Sequence, residues 1–272
     1  MLRANVNSAR KTVAKTAFRS SMNTATDVIL FSGGLDSLVT LGIALQKTPN
    51  PRLFFCDIGA NASDQERKAA KRIAKYYGLH LEVVKVRVPF IQTSLLGSSE
   101  RFIVYTADSK KDTESETGSF IIGYRNFALI SLALMYCSSV KASTLWCGFD
   151  YEEKGGSSKD KSPRFITAFQ RAIETGGEHY EQVRIETPLQ LLAKHQIITK
   201  GVRCSVPFHL SWTCYNELSK PCGVCNACID RRQGFKKLSL TDPVEYASDR
   251  MLLRVLSEKD IAEIRQDQKG LV

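Results

Sequence analysis

Two short stretches concentrate the residue types that do chemistry. The first is FSGGLDS, Phe31 to Ser37, in which two glycines sit among hydroxyls and one carboxylate. Glycines at 33 and 34 let the main chain approach an anion closely, and its N–H groups can then converge on one point. Ser32 and Ser37 add hydroxyl donors, while Asp36 can hold Mg2+ against phosphates or brace the loop. The plain alternative is a strand-to-helix turn with Ser or Asp as N-cap. The second stretch is SWTCYNELSKPCGVCNAC, which sets Cys214, Cys222, Cys225 and Cys228 at C-x7-C-x2-C-x2-C. Four thiolates so closely spaced can close a tetrahedral shell around zinc. An iron–sulfur cluster is the rival, and four metal-free buried thiols are the plain alternative.

These stretches need elements to position them. DVILF, Asp27 to Phe31, is an apolar run ended by the glycine pair and reads as a buried strand. LVTLGIALQK then carries apolar residues at helical spacing and stops at Pro49. RLFFCD is a second strand ending at Asp57. SDQERKAAKRIAKYYG is an amphipathic helix with Ser63 as N-cap, Glu66 as its box partner and Gly78 as C-cap. LEVVKV, Leu81 to Val86, is a third strand. This alternation predicts an open parallel sheet with right-handed crossovers. Beyond it, residues 89–120 are polar and irregular, with SKKDTESETGS read as a loop. A helix from about Asn126 to Ser138 follows, then a strand in STLWCGF and a flexible loop in GGSSKDKS. A helix in PRFITAFQRAIE, with proline in its first turn, leads to a fifth strand in VRIETPL. Ligands of such sheets sit beyond the carboxyl ends of the strands. Ser32 to Ser37, Asp57 to Asn61 and Gly148 to Asp160 all fall there, which predicts one shared site.

Composition bounds the remaining choices. The 272 residues are 43% hydrophobic and 24% charged, which suits one large α/β domain with an appendage, or two small domains. No apolar run approaches the ~20 residues that cross a bilayer, and the first residues lack the apolar core of a secretory signal. Lys and Arg total 38 against 28 acids, a net +10. That surplus suits anionic ligands from nucleotides to nucleic acid, and equally a solvated basic surface. The N-terminal segment is basic, rich in Ser, Thr and Ala, and acid-free until Asp27. It fits a transit peptide, or a frayed or helical extension. Clustered cysteines without a secretion signal point to a metal site in a reducing, cytoplasmic compartment rather than to disulfides.

SGGLDS, placed after the first strand of a βαβ pattern, resembles the SGGxDS loop of the PP-loop ATP pyrophosphatases. These hold the pyrophosphate of ATP while a substrate oxygen attacks the α-phosphorus. The stretch lacks the Gly-Lys-Ser/Thr ending of a Walker loop. VPFHLSWTCYNELSKPCGVCNACIDRRQGF resembles the carboxy-terminal zinc segment of QueC-type 7-cyano-7-deazaguanine synthases. GYRN, Gly123 to Asn126, and ETPL followed by Lys194 extend the resemblance over most of residues 27–237.

The resemblance implies a Rossmann-like α/β nucleotide-binding domain over 27–200 and a small zinc-binding lobe over 201–237. A basic extension over 1–26 and a helical tail over 238–272 flank them. The implied enzyme is an ATP-dependent ligase that adenylates the carboxylate of 7-carboxy-7-deazaguanine. Ammonia captures the acyl group, and a second activation dehydrates the amide to a nitrile. Implied cofactors are ATP, Mg2+ and structural Zn2+. Ser32, Gly33, Gly34, Asp36, Ser37 and Asp57 would bind ATP, and Asp36, Arg125 and Lys194 would serve catalysis, the last two by neutralising phosphates. Gly59, Arg125, Asn126 and Asp160 would meet the deazapurine. A helix-start salt bridge for Arg125 and a surface position for Lys194 are the plain alternatives. Partners are the small molecule and ammonia, with no membrane. A homodimer stays open.

Two tracts depart from the family. Where the synthases carry a tract like D-Y-G-Q-R-H, this chain has Asp57 and Gly59 but then Ala60, Asn61 and Ala62. Where they carry one like Y-P-D-C-R-P-E-F, Asp160, Pro163 and Phe165 line up, while Lys161 and Ser162 replace Cys and Arg. Some QueC-like proteins of bacterial antiviral systems, of the CBASS type, attach a deazaguanine to a protein amino terminus, and a changed amine acceptor would suit these substitutions. Two further rivals remain. Thiolation of tRNA would need a sulfur-relaying cysteine, for which Cys56 or Cys147 could be argued, or a cluster, although these and Cys137 otherwise read as small core residues. A nucleic-acid-binding module would use Trp212, Tyr215, Arg231 and Arg232 of the cysteine lobe.

Overall fold

A computed structural model describes residues 26–90, 96, 122–151, 159–177 and 182–247. The five expected strands form: β1 (Thr26–Leu30), β2 (Arg52–Asp57), β3 (Leu81–Lys85), β4 (Ala142–Cys147) and β5 (Arg184–Glu186). Between and after them run α1 (Leu35–Ala44), α2 (Ser63–Tyr77), α3 (Arg125–Val140), α4 (Pro163–Gly176), α5 (Lys194–Arg203) and α6 (Asn226–Lys237). The sheet order is β3-β2-β1-β4-β5 and every pairing is parallel.

Strand alternation divides the core into two layers. Ile29, Leu53, Phe55 and Trp146 pack with α1, α2, α5 and α6 on one face. Val28, Phe54, Leu145 and Cys147 pack with α3 and α4 on the other. Sheets buried on both sides need near-continuous apolar strands, and VILF and LFF supply them. Asp27 sits in this core because its carboxylate accepts from the Trp146 indole N–H at 3.0 Å.

Helix ends follow local chemistry, with one correction. Ser162 caps α4 by accepting from Phe165 N–H at 3.2 Å, with Pro163 at the first turn. Gly78 closes α2 in the left-handed region, φ 68°. Ser63, however, is the first helical residue of α2, and its N-cap is Ala62. The turn there closes through the main chain, Ser63 N–H to Ala60 C=O at 2.8 Å, so the expected Ser63–Glu66 capping box does not form and Glu66 is left for other use.

Residues 239–247 run on after α6 without helix. They are held by Asp242, which accepts from the Arg231 guanidinium at 2.8 and 2.9 Å and from the Tyr246 hydroxyl at 2.6 Å. The expected 109–119 loop, the segment before Thr26 and the rest of the tail lie outside the described residues. No described helix is long and apolar enough to cross a membrane.

Candidate active site

The chain runs from β1 outward to β2 and β3, then returns past β1 to β4. That reversal beside the central strand opens a crevice at the carboxyl ends. A cleft of about 620 Å3 occupies it, lined by Ser32, Gly34, Asp36, Ser37, Arg125, Asn126 and Lys194 among others. Gly34 is the N-cap of α1, and no side chain caps this helix. The alternative of Ser or Asp as cap is thereby overturned, and the first-turn N–H groups of α1 stay available to an anion. The hydroxyls instead organise the loop: Ser32 Oγ accepts from Gly34 N–H at 3.2 Å, and Ser37 Oγ donates to Gly34 C=O at 3.1 Å.

Gly33 has φ +77°, and a Cβ there would lie 2.7 Å from both Ala70 N and Glu66 O of α2. Position 33 therefore admits no side chain. Gly33→Ala is expected to cost about 2 kcal/mol from backbone strain and displaced packing. A urea-unfolding midpoint unchanged from wild type would contradict this.

Lys194 opens α5, the end at which a helix dipole disfavours a cation. Two carboxylates offset that cost. Lys194 Nζ donates to both Asp36 oxygens at 2.8 Å and to Asp150 Oδ2 at 2.9 Å, while Lys161 Nζ donates to Asp150 Oδ1 at 2.9 Å. Burial opposes the charge on Lys194, but Asp36 and Asp150 hold it protonated, well above the usual lysine range. Burial likewise opposes ionisation of Asp150, yet Lys194 and Lys161 hold its carboxyl below the usual range. Lys194 is thus a fixed cation at the cleft and not a surface one, with its side chain 19% exposed.

The other expected residues divide. Arg125 lines the cleft from the start of α3, and it makes no ion pair among the described residues. Asn126 lines the cleft too, but its main-chain N–H and its Nδ2 both donate to the Asp160 carboxylate at 2.9 Å, in buried surroundings. Asp160 therefore fixes the start of α3 from behind. Asp57 turns back on its own loop, its carboxylate accepting from Gly59 N–H at 2.9 Å. Neither Asp57, Gly59 nor Asp160 lines the cleft.

Asp150, Lys161 and Glu66 do line it and were not singled out as site residues. Asp150 lies inside the 148–160 segment, Lys161 marks a departure from the family pattern, and its spacing from Ser63 assigns Glu66 to a cap.

The four cysteines come together as expected. Their sulfurs all lie within 4.8 Å of one another, and all four residues are buried. A tetrahedral ion with metal–sulfur bonds of about 2.3 Å sets its sulfurs about 3.8 Å apart. Cys222 to Cys228 and Cys214 to Cys225 are each 4.0 Å. Main-chain N–H groups of Asn216 and Cys222 point at Cys214 Sγ, and those of Val224 and Cys225 at Cys222 Sγ, at 3.3 to 3.4 Å. Such donors stabilise metal-bound thiolates. The donor set and spacing fit a single four-coordinate ion. A four-iron cluster would have to fit between the sulfurs and hold them farther apart.

Geometry weakens both rival readings. Burial pushes the Cys56 thiol up to about 11, with Asp57 adding to the shift, and burial pushes fully buried Cys147 up as well. A sulfur relay needs a thiolate, and neither residue offers one near neutral pH. Of the residues suited to nucleic-acid contact, Trp212 and Arg231 are buried at 5% and 1% exposure. Arg231 spends its guanidinium on Asp242, Ser211, Thr213 and Phe208 C=O, and Arg232 lies over the Tyr246 ring.

The profile of the family described as queuosine biosynthesis protein QueC matches residues 26–239. The 7-cyano-7-deazaguanine synthase of Chlorobium phaeovibrioides is 31% identical over 220 residues, covering 80% of this chain and 95% of that one. The synthase of Methanoculleus marisnigri is 30% identical over 229 residues, with 80% and 97% covered. Among solved structures, the U34-tRNA thiolase NcsA of Methanococcus maripaludis aligns at 13% identity and a TM-score of 0.39, over 92% of this chain and 72% of that one. The glycine loop, the cleft residues and the cysteine quartet all fall inside the matched span, and the chain belongs to the QueC family.

Proposed function

We propose that this protein uses ATP to adenylate the carboxylate of 7-carboxy-7-deazaguanine and condenses the acyl group with ammonia, giving 7-cyano-7-deazaguanine. The observation that carries this reading is the uncapped Ser32–Ser37 loop at the cleft, facing a lysine that two carboxylates hold charged. A carboxylate is a poor electrophile, and adenylation gives it a good leaving group. The carboxylate oxygen attacks the α-phosphorus and pyrophosphate departs. The loop N–H groups and Lys194 would meet the charge developing on that leaving group. Arg125 supplies a second cation from the α3 side. Ammonia then displaces AMP to give the amide. A second ATP activates the amide oxygen, and loss of AMP with both nitrogen protons leaves the nitrile.

Mg2+ would accompany ATP, and Asp36 can ligate it once one oxygen leaves Lys194. The cysteine quartet is assigned structural zinc, away from the reacting atoms. A second reading keeps the adenylation and changes the amine. Ala60 and Ala62 line the cleft, and such small side chains leave space for a protein amino terminus. That amine would stop at the amide, because a substituted nitrogen cannot lose two protons.

The purified protein, given 7-carboxy-7-deazaguanine, ATP and ammonium, should release AMP and pyrophosphate only when the carboxylate is present. Mass spectrometry should find the nitrile. ADP and phosphate as products would overturn the adenylation. Adenylate formation without nitrile would select the second reading.

A further inference from the structure

Glu66 is a carboxylate that the mechanism so far leaves unused. It lies in the first turn of α2, and its own C=O packs under Gly33 of the loop. Its residue lines the cleft, on the side beyond β2, whereas Lys194, Asp150 and Lys161 line the side beyond β4. β1 and its loop run between the two sides. The loop therefore has a paired lysine–aspartate cluster on one flank and an unpaired carboxylate on the other. Among the described residues Glu66 accepts no side-chain hydrogen bond and forms no ion pair, although Arg125 of α3 lines the same cleft and its charge bears on Glu66. Its helix neighbours Asp64 and Arg67 are paired with each other. Tyr215 of the cysteine lobe lines the same cleft, and Asp57 at the end of β2 is the nearby like charge.

We propose that Glu66 accepts the proton released when the attacking amine bonds to the activated acyl carbon. This rests on the acyl-adenylate reading above. The nitrogen lone pair forms the C–N bond, the C–O bond to AMP breaks with its electron pair, and one N–H proton passes to the Glu66 carboxylate. A group that cycles a proton at neutral pH works best with a pKa near that pH. Burial pushes the Glu66 carboxyl up to about 7, with Asp57 adding to the shift and Arg125 opposing it. Below that pH the group is protonated and cannot accept; above it the group can. A carboxylate that merely clamped the N–H edge of the deazapurine would need to stay ionised throughout, and its loss would weaken substrate binding.

The test compares wild type, E66Q and E66D, each checked for folding by thermal unfolding. Two rates are followed, carboxylate-dependent ATP–pyrophosphate exchange and amide formation from ammonium across pH 5.5 to 9 (a span of roughly 1.5 to 2 pH units either side of 7). E66Q should lose amide formation about hundredfold, within the usual range for general base catalysis. Its KM for the carboxylate in exchange should stay within about threefold of wild type. The ascending limb near pH 7 should vanish, leaving only that of the amine, and E66D should restore the limb at reduced amplitude. Amide formation in E66Q within about threefold of wild type would overturn the proposal. So would a raised KM in exchange, which would make Glu66 a substrate clamp. Wild type without exchange would remove the adenylate reading itself, and this proposal with it.

Discussion

Cys222→Ser should yield a chain that holds less than stoichiometric zinc and melts more than about 10 °C below wild type, if it accumulates at all. Cys222 is fully buried, and its sulfur accepts from the N–H groups of Val224 and Cys225 and from Asn216 Nδ2 at 3.5 Å. The quartet is itself the core of the lobe, packed with Trp212, Val224, Leu96 and Ile122. Losing one ligand would therefore lower folding free energy together with metal affinity, although Phe208 and Phe235 also anchor the lobe in the main core. Metal analysis and thermal unfolding of the purified variant check this. An unchanged melting temperature would contradict it, and visible iron–sulfur absorbance in anaerobically purified wild type would reassign the metal.

Lys194→Met should lower turnover about 100- to 1000-fold, the range for losing a fixed charge at a developing anion. It should also destabilise the fold by about 2 kcal/mol, discounted from the cost of breaking a fully buried pair because the groups are partly exposed. The cause is what the lysine leaves behind. Asp36 and Asp150 share it, and without it two carboxylates face one another with only Lys161 for relief. Asp36→Asn removes one of those charges while keeping the shape, so it should cost less stability and still impair turnover. Single-turnover assays beside urea unfolding separate the two effects. Wild-type turnover in Lys194→Met would remove the lysine from the mechanism.

Periodicity and glycine placement made the parallel α/β sheet legible, because VILF and LFF are short apolar runs, bounded by turn residues and alternating with helices, that suit strands buried on both faces. The loop and the cysteine quartet were legible because the residues that mark each one, Ser32 to Ser37 and Cys214 to Cys228, are close in sequence. Periodicity reports which elements exist and not which lie side by side, so strand order stayed hidden. Lys194 could be placed near the phosphates, but not its clasp, since Asp36 and Asp150 come from the ends of two other elements. Glu66 was read through its local spacing from Ser63, where a main-chain bond from Ser63 to Ala60 does the capping instead. Arg231 reads from sequence only as a cation suited to nucleic acid. Its depth comes from Asp242, a partner beyond the helix end.

The glycine loop is completed from far along the chain. Trp212 N–H donates to Gly33 C=O at 3.0 Å, Trp212 Nε1 to Cys214 C=O at 2.9 Å, and Asp36 finds Lys194 across 158 residues. A ribosome releases the loop early and its partners late, as chains fold from the amino end during synthesis. The nascent sheet can assemble while the loop still lacks both its lysine and the strap from the cysteine lobe. The glycine loop is thus made well before the segments that complete it, and a fragment that stops short of the lobe would carry the loop without the partners that hold it.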